Sequence, residues 1–392
     1  MTGDLLTLGL LAMAAAVVAS ILIVASRRWH GKHTLDHDLD GVQKFHTAAV
    51  PRIGGVAIAG AIAFTTAVCS SYGFALVPDT YLQAAALLLV AALPAFLGGI
   101  VEDIRKDVSV QTRLLAALLS ALAASWLLGA TLDQLDIWGV DTLLRWTPFA
   151  LAVTCVVVAG GVNAINIIDG FNGLASSTVV VMLTAFAVIG WHMGDPLVTH
   201  LAVLGLGAAF GFLLVNFPTG RLFLGDGGAY FLGFWVAEVA VLLLVRNPLV
   251  NAWQVLAVCA YPVIEVLYSM YRRRILRQAS PAAPDGLHLH TLVYRRVAPR
   301  IAGLRADRPW QRNAAVTCLI VPWVVASALL GVLAGGWGWW AIAIVAAQLL
   351  AYLTVYSRLV RGRWGSPFSP RVAPAAARPV VDKERERLAR FG

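Results

Sequence analysis

Amide and carboxylate side chains recur at a fixed spacing in the stretch NAINIIDGFNGLA, which runs from Asn163 to Ala175. Three asparagines and one aspartate follow one another every third residue: Asn163, Asn166, Asp169 and Asn172. If a helix continues through the stretch, these side chains lie roughly along one of its faces. Their oxygen atoms suit a metal ion such as Mg²⁺ or a polar ligand. The alternative is that they hydrogen-bond to neighbouring helices.

A glycine-rich turn stands at the start of a predicted helix in the stretch from Asn216 to Gly233. The turn consists of Gly225, Asp226, Gly227 and Gly228. Free N–H groups at a helix N-terminus suit a phosphate, and a neighbouring carboxylate suits a Mg²⁺ ion that bridges to it. Asn216 and Phe223 offer an amide and a stacking face, as a nucleobase would require. Taken alone, the turn could also be merely flexible.

Two adjacent acids, Glu102 and Asp103, lie in the stretch from Val101 to Ser109, and Asp107 follows them. A helical turn there would bring at least two carboxylates together. Such a pair binds a divalent cation, or keeps one carboxyl protonated for proton transfer. Because Arg105 and Lys106 lie between these acids, a self-neutralised surface turn is the alternative.

Histidines and basic residues in two further stretches are candidates for binding anions. The stretch from Asp285 to Arg296 contains His288 and His290, whose surroundings lack zinc-type spacing, so we predict that they approach a diphosphate. An exposed histidine pair is the alternative. The stretch from His37 to Gly55 adds three cationic candidates: Lys44, His46 and Arg52. Lys44 could instead extend towards lipid headgroups.

Composition predicts that a membrane surrounds most of the chain. Of its 392 residues 59% are hydrophobic and 13% are charged, whereas about 25% are charged in soluble proteins. A hydrocarbon core of about 30 Å needs roughly 20 apolar residues per helix. We therefore predict an all-α, polytopic membrane helix bundle of about eleven transmembrane helices, at residues 4–26, 53–72, 82–101, 112–130, 147–166, 173–190, 198–215, 228–245, 251–270, 313–334 and 336–357.

The basic residues fall almost entirely on one side of this bundle. We call side A the side that follows the first span, and side B the opposite side. All but two of the 30 Lys and Arg residues lie on side A, and the exceptions are Arg145 and Arg246. The positive-inside rule then predicts a cytoplasmic side A, a periplasmic N-terminus and a cytoplasmic C-terminus.

The sided loops predict how the chain is organised. Residues 1–357 form a single transmembrane catalytic domain, and residues 358–392 form a basic cytoplasmic tail that faces anionic lipids. Residues that could do chemistry concentrate in the predicted cytoplasmic loops, 27–52, 102–112, 166–172, 216–227 and 271–312. We expect the first span to be a retained helix, because basic residues follow it rather than precede it.

Together, and in this order, the five stretches resemble the polyprenyl-phosphate N-acetylhexosamine-1-phosphate transferase family, glycosyltransferase family 4. That family includes phospho-MurNAc-pentapeptide translocase and the enzymes that start O-antigen and teichoic acid synthesis. The resemblance runs from about His37 to Arg296. Its motifs match at Glu102 and Asp103, at 163–175, at 216–228 and at 285–291.

The resemblance implies roles for individual residues. Asn166 and Asp226 would hold Mg²⁺, with Mn²⁺ as a substitute, and Glu102, Asp103 and Asp226 would be catalytic. Three residues would lie near the uridine: Phe223, Asn216 and Asn172. His288 and His290 would approach the phosphates of the sugar nucleotide. The remaining substrate-binding candidates are Asp169, Lys44, His46 and Arg52.

Three departures from the family pattern indicate a branch. Glu102 replaces the first acid of an aspartate pair, Asn172 replaces the second acid of a DGxDG motif, and Thr291 replaces a third histidine. The first two variants resemble the branch that serves surface polysaccharides. They argue against UDP-MurNAc-pentapeptide as the donor.

The resemblance implies a phosphoryl transfer in the bacterial inner membrane. An undecaprenyl phosphate oxygen attacks the β-phosphorus of a UDP-N-acetylhexosamine, and UMP leaves. Asp103 would orient or deprotonate the lipid phosphate. We expect membrane lipid and a second copy of the chain, a homodimer, as partners, and no nucleic acid.

The alternative function is a polytopic secondary transporter of an anionic or sugar-nucleotide substrate. Glu238 and Glu265 lie within predicted spans, which is a transporter feature. A transporter would place its polar site near the midplane between related halves, whereas the sequence has no such internal repeat. Its polar residues concentrate on one side.

Overall fold

The computed structural model describes residues 2–36, 49–71, 77–276, 286–301, 304 and 308–362. Fifteen α-helices lie in this part of the chain: α1 (Thr2–Ala25), α2 (Arg27–Thr34), α3 (Gly54–Ser71), α4 (Asp79–Arg105), α5 (Val110–Leu128), α6 (Val140–Leu144), α7 (Thr147–Ile168), α8 (Leu174–His192), α9 (Pro196–Asn216), α10 (Gly225–Arg246), α11 (Ala252–Val258), α12 (Ala260–Tyr271), α13 (Leu289–Arg296), α14 (Pro309–Ala334) and α15 (Gly338–Val360). Two short strands, β1 (Leu35–Asp36) and β2 (Val50–Pro51), pair antiparallel before α3.

Ten of the described helices are long and apolar enough to cross a membrane. An eleventh span results if α11 and α12 are counted together, since they form a pair bent by 86°. The chain is therefore a multi-pass membrane protein, and the predicted all-α bundle is confirmed. The sequence did not indicate that the span at 251–270 would be broken.

Helix α10 forms the centre of the bundle. In its membrane span 83% of the residues are buried, compared with 22% in the first span and 17% in the last. Glycines allow neighbouring backbones to approach its first turn: a Cβ atom at Gly99 of α4 would lie 2.6 Å from the carbonyl carbon of Asp226. A Cβ atom at Gly55 of α3 would likewise overlap the backbone of Gly228. Three helices thus meet almost backbone to backbone at this turn.

The helix ends gather in two layers that match the predicted sides A and B. On side A, the segment before α3, the end of α4 and the start of α10 are in contact through Arg52, Asp103 and Asp226. On side B, Arg246 at the end of α10 pairs with Asp195 before α9, at 2.8 Å. The alternation of helix ends therefore agrees with the sided topology. The cytoplasmic location of side A stays a prediction.

Candidate active site

The carboxylate of Asp103 binds the first turn of α10. Its Oδ1 accepts a hydrogen bond from the N–H of Asp226 at 2.8 Å, and its Oδ2 accepts one from the N–H of Gly227 at 2.9 Å. Only 1% of this side chain is exposed. A carboxylate at a helix N-terminus satisfies N–H groups that have no helical partner. We predicted from the sequence that N–H groups of this turn bind a phosphate. In the structure, these two N–H groups already have Asp103 as their acceptor.

Two further side chains contact the carboxylate of Asp226. Asn166, near the end of α7, donates its Nδ2–H to Asp226 Oδ1 at 2.7 Å. The Arg52 guanidinium lies 3.6 Å from Asp226 Oδ2 and 3.4 Å from Asp103 Oδ1. Gly225 adopts φ +76° just before Asp226, a backbone conformation that favours glycine. The structure thus brings together four predicted site residues that are distant in sequence.

Asp169 adds a third carboxyl group to this cluster. It follows the last residue of α7, with φ −78° and ψ 56°. Burial of its carboxyl group raises its pKa to about 8, and the charges of Asp226 and Asp103 act in the same direction, against Arg52. Repulsion of this kind arises where several carboxylates share one site. A cation added to the cluster would favour the ionised form of Asp169.

The chemistry of this donor set fits Mg²⁺. Carboxylate and amide oxygens are the ligands this hard cation prefers, and the acids Asp103, Asp169 and Asp226 outnumber the Arg52 charge beside them. Within the described ranges, no group of three acidic, histidine or cysteine side chains is arranged to hold a metal ion by itself. That result is compatible with Mg²⁺, which usually takes one or two protein carboxylates together with substrate phosphates.

The acids of the stretch at 101–109 do not form the pair that the sequence predicted. Helix α4 ends at Arg105, and Lys106 adopts φ +59°. Glu102 therefore faces the turn, where it accepts a hydrogen bond from the N–H of Val108 at 2.9 Å and lies 3.5 Å from Arg113. Asp107 is exposed and pairs with Arg105. The interpretation as adjacent paired carboxylates is wrong, because Asp103 meets Asp226 of another helix instead.

The expectation that all four polar residues at 163–172 share one helix face is also wrong. Helix α7 ends at Ile168, and Gly173 adopts φ +78° before α8 begins. The backbone N–H of Asn172 donates to Asn313 Oδ1 at 2.7 Å, and its Nδ2–H donates to the carbonyl of Pro218 at 3.0 Å. Asn172 thus joins two loops and α14.

Asn216, at the end of α9, also connects loops, as Asn172 does. Its Oδ1 accepts the N–H of Gly173 at 2.6 Å, and its Nδ2–H donates to the carbonyl of Leu222 at 2.7 Å. Both functions of the amide therefore bind backbone groups of the loops around the site. Phe223 is partly exposed and lines the cavity described below. A contact of these residues with a nucleobase stays a prediction.

The two histidines of the fifth stretch are buried and stacked on each other. Their ring centroids lie 5.2 Å apart at an interplanar angle of 12°. His288 Nδ1 lies 2.9 Å from Glu265 Oε1, and His290 Nδ1 lies 3.3 Å from the Tyr261 hydroxyl. A Cβ atom at Gly170 would lie 3.7 Å from His290 Nε2, so the histidines pack beside the turn that follows α7. The alternative of an exposed pair is wrong.

Three residues of this site, Glu265, Tyr261 and Arg113, were not among the predicted site residues. No local motif could have found them, because each contacts the site through a partner on another helix. Two of the predicted cationic candidates, Lys44 and His46, lie outside the described residues.

A cavity of about 1500 Å³ extends from these polar groups between the helices of the bundle. Arg52, Asp169, Asp226 and His290 line its side-A end. The rest of the lining is mostly apolar and comes from α5, α7, α10, α11 and α12. Residues of α5 and α12 that line the cavity are exposed: Leu114 (51%), Leu267 (60%) and Met270 (48%). The cavity is therefore an apolar groove with a charged end.

Known proteins resemble this chain over its central part. The model of glycosyl transferase family 4 matches residues 85–244. A probable undecaprenyl-phosphate N-acetylglucosaminyl 1-phosphate transferase of Bacillus subtilis (strain 168) is 28% identical over 254 residues, which cover 63% of this chain and 66% of that protein. Undecaprenyl-phosphate alpha-N-acetylglucosaminyl 1-phosphate transferases of Yersinia pestis and Escherichia coli (strain K12) are 26% and 27% identical, each over 66% of this chain and 69% of the relative. The matched region thus spans about two thirds of these relatives.

Proposed function

We propose that the chain, whose residues 85–244 match the model of glycosyl transferase family 4, transfers a sugar-1-phosphate from a UDP-sugar to undecaprenyl phosphate and releases UMP. The sugar is of the N-acetylhexosamine type, in keeping with the names of the relatives. One observation carries the proposal: the charged cluster of Arg52, Asp103, Asp169 and Asp226 lies at one end of an apolar groove.

This arrangement suits a substrate with a phosphate at the end of a long hydrocarbon chain. The hydrocarbon can lie in the groove while its phosphate reaches the polar end, where a water-soluble sugar nucleotide can also enter. The secondary transporter is not favoured, because the described polar cluster lies at helix ends rather than near the midplane.

In the proposed reaction, an oxygen of the lipid phosphate attacks the β-phosphorus of the UDP-sugar. The bond between this phosphorus and the oxygen that bridges to UMP breaks, UMP leaves, and a polyprenyl-diphospho-sugar forms. Arg52 is placed to attract phosphate oxygens and to limit the repulsion between Asp103 and Asp226. Mg²⁺ held by Asp226 and Asn166 would stabilise the negative charge that develops on the transferred phosphoryl group.

Asp103 has a different role in this proposal from the one its sequence context implied. Both of its carboxylate oxygens accept N–H groups of α10, and a phosphate is already largely ionised at neutral pH. Asp103 therefore acts as a positioning residue that fixes Asp226 and the first turn of α10. Glu102, which is bound to the turn after α4 and to Arg113 of α5, holds the end of α4 that carries Asp103.

The proposal places the reaction at the cytoplasmic face of a bacterial inner membrane. Its basis is the concentration of Lys and Arg on side A, the side on which the cluster lies. The lipid-linked sugar would start the synthesis of O-antigen or another cell-surface polysaccharide.

The test is an assay of the purified chain in lipid nanodiscs with undecaprenyl phosphate, Mg²⁺ and a panel of UDP-sugars. We expect release of UMP with at least one UDP-N-acetylhexosamine and a lipid product whose mass equals acceptor plus sugar phosphate. Movement of an intact sugar nucleotide across the membrane, without UMP formation, would contradict the proposal.

A further inference from the structure

The apolar groove extends from the charged cluster almost to side B. On α10 its lining includes Asp226 at one end and Leu244 at the other, a distance of about 27 Å at a rise of 1.5 Å per residue. This length approaches the thickness of the hydrocarbon core, about 30 Å. On the side-B end the lining residues are Leu132, Leu135, Ile137, Ala252 and Trp253.

A segment that we call the strap, residues 131–139, crosses the groove at its side-B end. The N–H of Leu132 donates to Thr154 Oγ1 of α7 at 2.9 Å. At its middle, Asp136 Oδ2 accepts the N–H of Ala252 at 2.7 Å, and the Asp136 carbonyl accepts the Nε1–H of Trp253 at 3.2 Å. The strap therefore links α7, which forms the floor of the groove, to α11, which forms a wall.

We call Asp136, with its hydrogen bonds to Ala252 and Trp253, the latch, and its backbone conformation is unusual. Its φ is +56°, which non-glycine residues adopt only at some cost in free energy. Its Oδ1 also accepts a hydrogen bond from Gln134 Nε2 at 2.6 Å. Three hydrogen bonds thus hold Asp136 in a backbone conformation that few non-glycine residues adopt, although the charged cluster lies at the opposite end of the groove. Such a conformation is retained where surrounding contacts over-determine it.

We propose that the strap selects acceptors by chain length, an inference that rests on the proposed function. The distal isoprene units of a long polyprenyl phosphate pack against Leu135, Ile137 and Trp253, whereas a short chain that reaches the charged cluster ends before the strap. The acceptor chain moves into the groove from lipid, which is equally apolar, so the hydrophobic effect does not supply the selectivity. The selectivity comes from a groove end that the hydrogen bonds of Asp136 keep in the shape that binds the chain.

The test compares farnesyl phosphate with undecaprenyl phosphate as acceptors for UMP release in nanodiscs. Asp136→Gly removes the latch carboxylate and keeps a residue that tolerates positive φ. Trp253→Phe removes the N–H donor and keeps an aromatic ring. Asp133→Ala, an exposed acid of the same strap, is the matched control.

We expect Asp136→Gly combined with Trp253→Phe to raise KM for undecaprenyl phosphate about fivefold, which corresponds to ~1 kcal/mol, and to leave KM for farnesyl phosphate within about twofold. The control should behave as wild type. An equal effect on both acceptors, or no effect on undecaprenyl phosphate, would overturn the strap inference alone. Absence of UMP from the wild-type chain with every acceptor would instead contradict the proposed function.

Thermal unfolding measured in the same nanodiscs checks that the variants are folded. If the double variant does not fold, Ile137→Ala provides the same comparison, because this residue lines the groove end and is 39% exposed. A rise in KM for undecaprenyl phosphate alone would again support the inference. Parallel changes for both acceptors would again overturn it.

Discussion

The contacts of Asp103 explain how a charged cluster can lie at the edge of a membrane without a large free-energy cost. Its buried carboxylate is offset by two N–H groups at the N-terminus of α10 and by the Arg52 guanidinium. A hydrogen-bonded, paired carboxylate escapes most of the free-energy cost of burial. Asp226 is thereby left beside Asn166, at the end of the groove.

The raised pKa of Asp169 predicts how Mg²⁺ affinity depends on pH. Below its pKa of about 8, Asp169 holds a proton that a bound cation would have to displace. Apparent affinity should therefore rise with pH from about 6 to 8, by at most tenfold per unit, and level off above that range. Calorimetric titration with Mg²⁺ measures this dependence.

Asp169→Asn is the control for that titration, since an amide cannot release the proton. The variant should bind Mg²⁺ with nearly the same affinity across the range. A wild-type affinity that does not change between pH 6 and pH 8 would show that Asp169 is not coupled to the metal.

Helix packing around α10 determines the shape of the site at the scale of elements. Gly55 and Gly99 allow α3 and α4 to approach its first turn, so that Arg52 and Asp103 reach Asp226 from two directions. The bent pair α11 and α12 places Tyr261 and Glu265 behind the histidines of α13. Each functional side chain thus depends on a neighbouring helix for its position.

Gly55→Ala should disturb this packing, because a Cβ atom there would overlap the backbone of Gly228. We expect a loss of about 1–3 kcal/mol in the free energy of unfolding and reduced UMP release, as in other over-packed cores. Thermal unfolding of the purified protein measures the loss. Gly60→Ala on the same helix is the control, because nothing lies within 4 Å of a Cβ atom at that position. Equal melting temperatures for the two variants would contradict this packing.

The spans could be predicted from the sequence, because a hydrocarbon core demands long apolar runs and the chain has few alternatives. The partners of the polar residues could not. The partner of Asp103 depends on where α4 ends and on which helix packs beside it. The local sequence pattern predicts neither. Asn172 likewise departed from its predicted face because α7 ends four residues earlier, at Ile168.

At the scale of the whole molecule, the distribution of charge distinguishes the two sides of the bundle. Side A holds nearly all Lys and Arg residues. Exposed tryptophans occur on both sides, Trp29 (90%) on side A and Trp138 (99%) and Trp339 (86%) on side B, as expected for residues at both membrane–water interfaces. The charge asymmetry supports one orientation, while the homodimer stays a prediction.

Cysteine labelling tests that orientation. In intact cells a membrane-impermeant maleimide should label Trp138→Cys, on side B, and should not label Asp107→Cys, on side A, until the cells are permeabilised. Both positions are exposed. The chain without an added cysteine is the control, since one of its own four cysteines, Cys318 in α14, is exposed. The opposite labelling pattern would place the charged cluster outside the cytoplasm.

The central claim is that the cluster around Asp226 catalyses sugar-phosphate transfer. The most direct test measures UMP release by the Asp226→Asn variant, in nanodiscs that contain undecaprenyl phosphate and the preferred UDP-sugar. The substitution keeps the size of the side chain and removes its charge, so the rate should fall about 10³-fold or more. Asp107→Asn, the same change at an exposed acid, should keep the wild-type rate. A wild-type rate for Asp226→Asn would contradict the account.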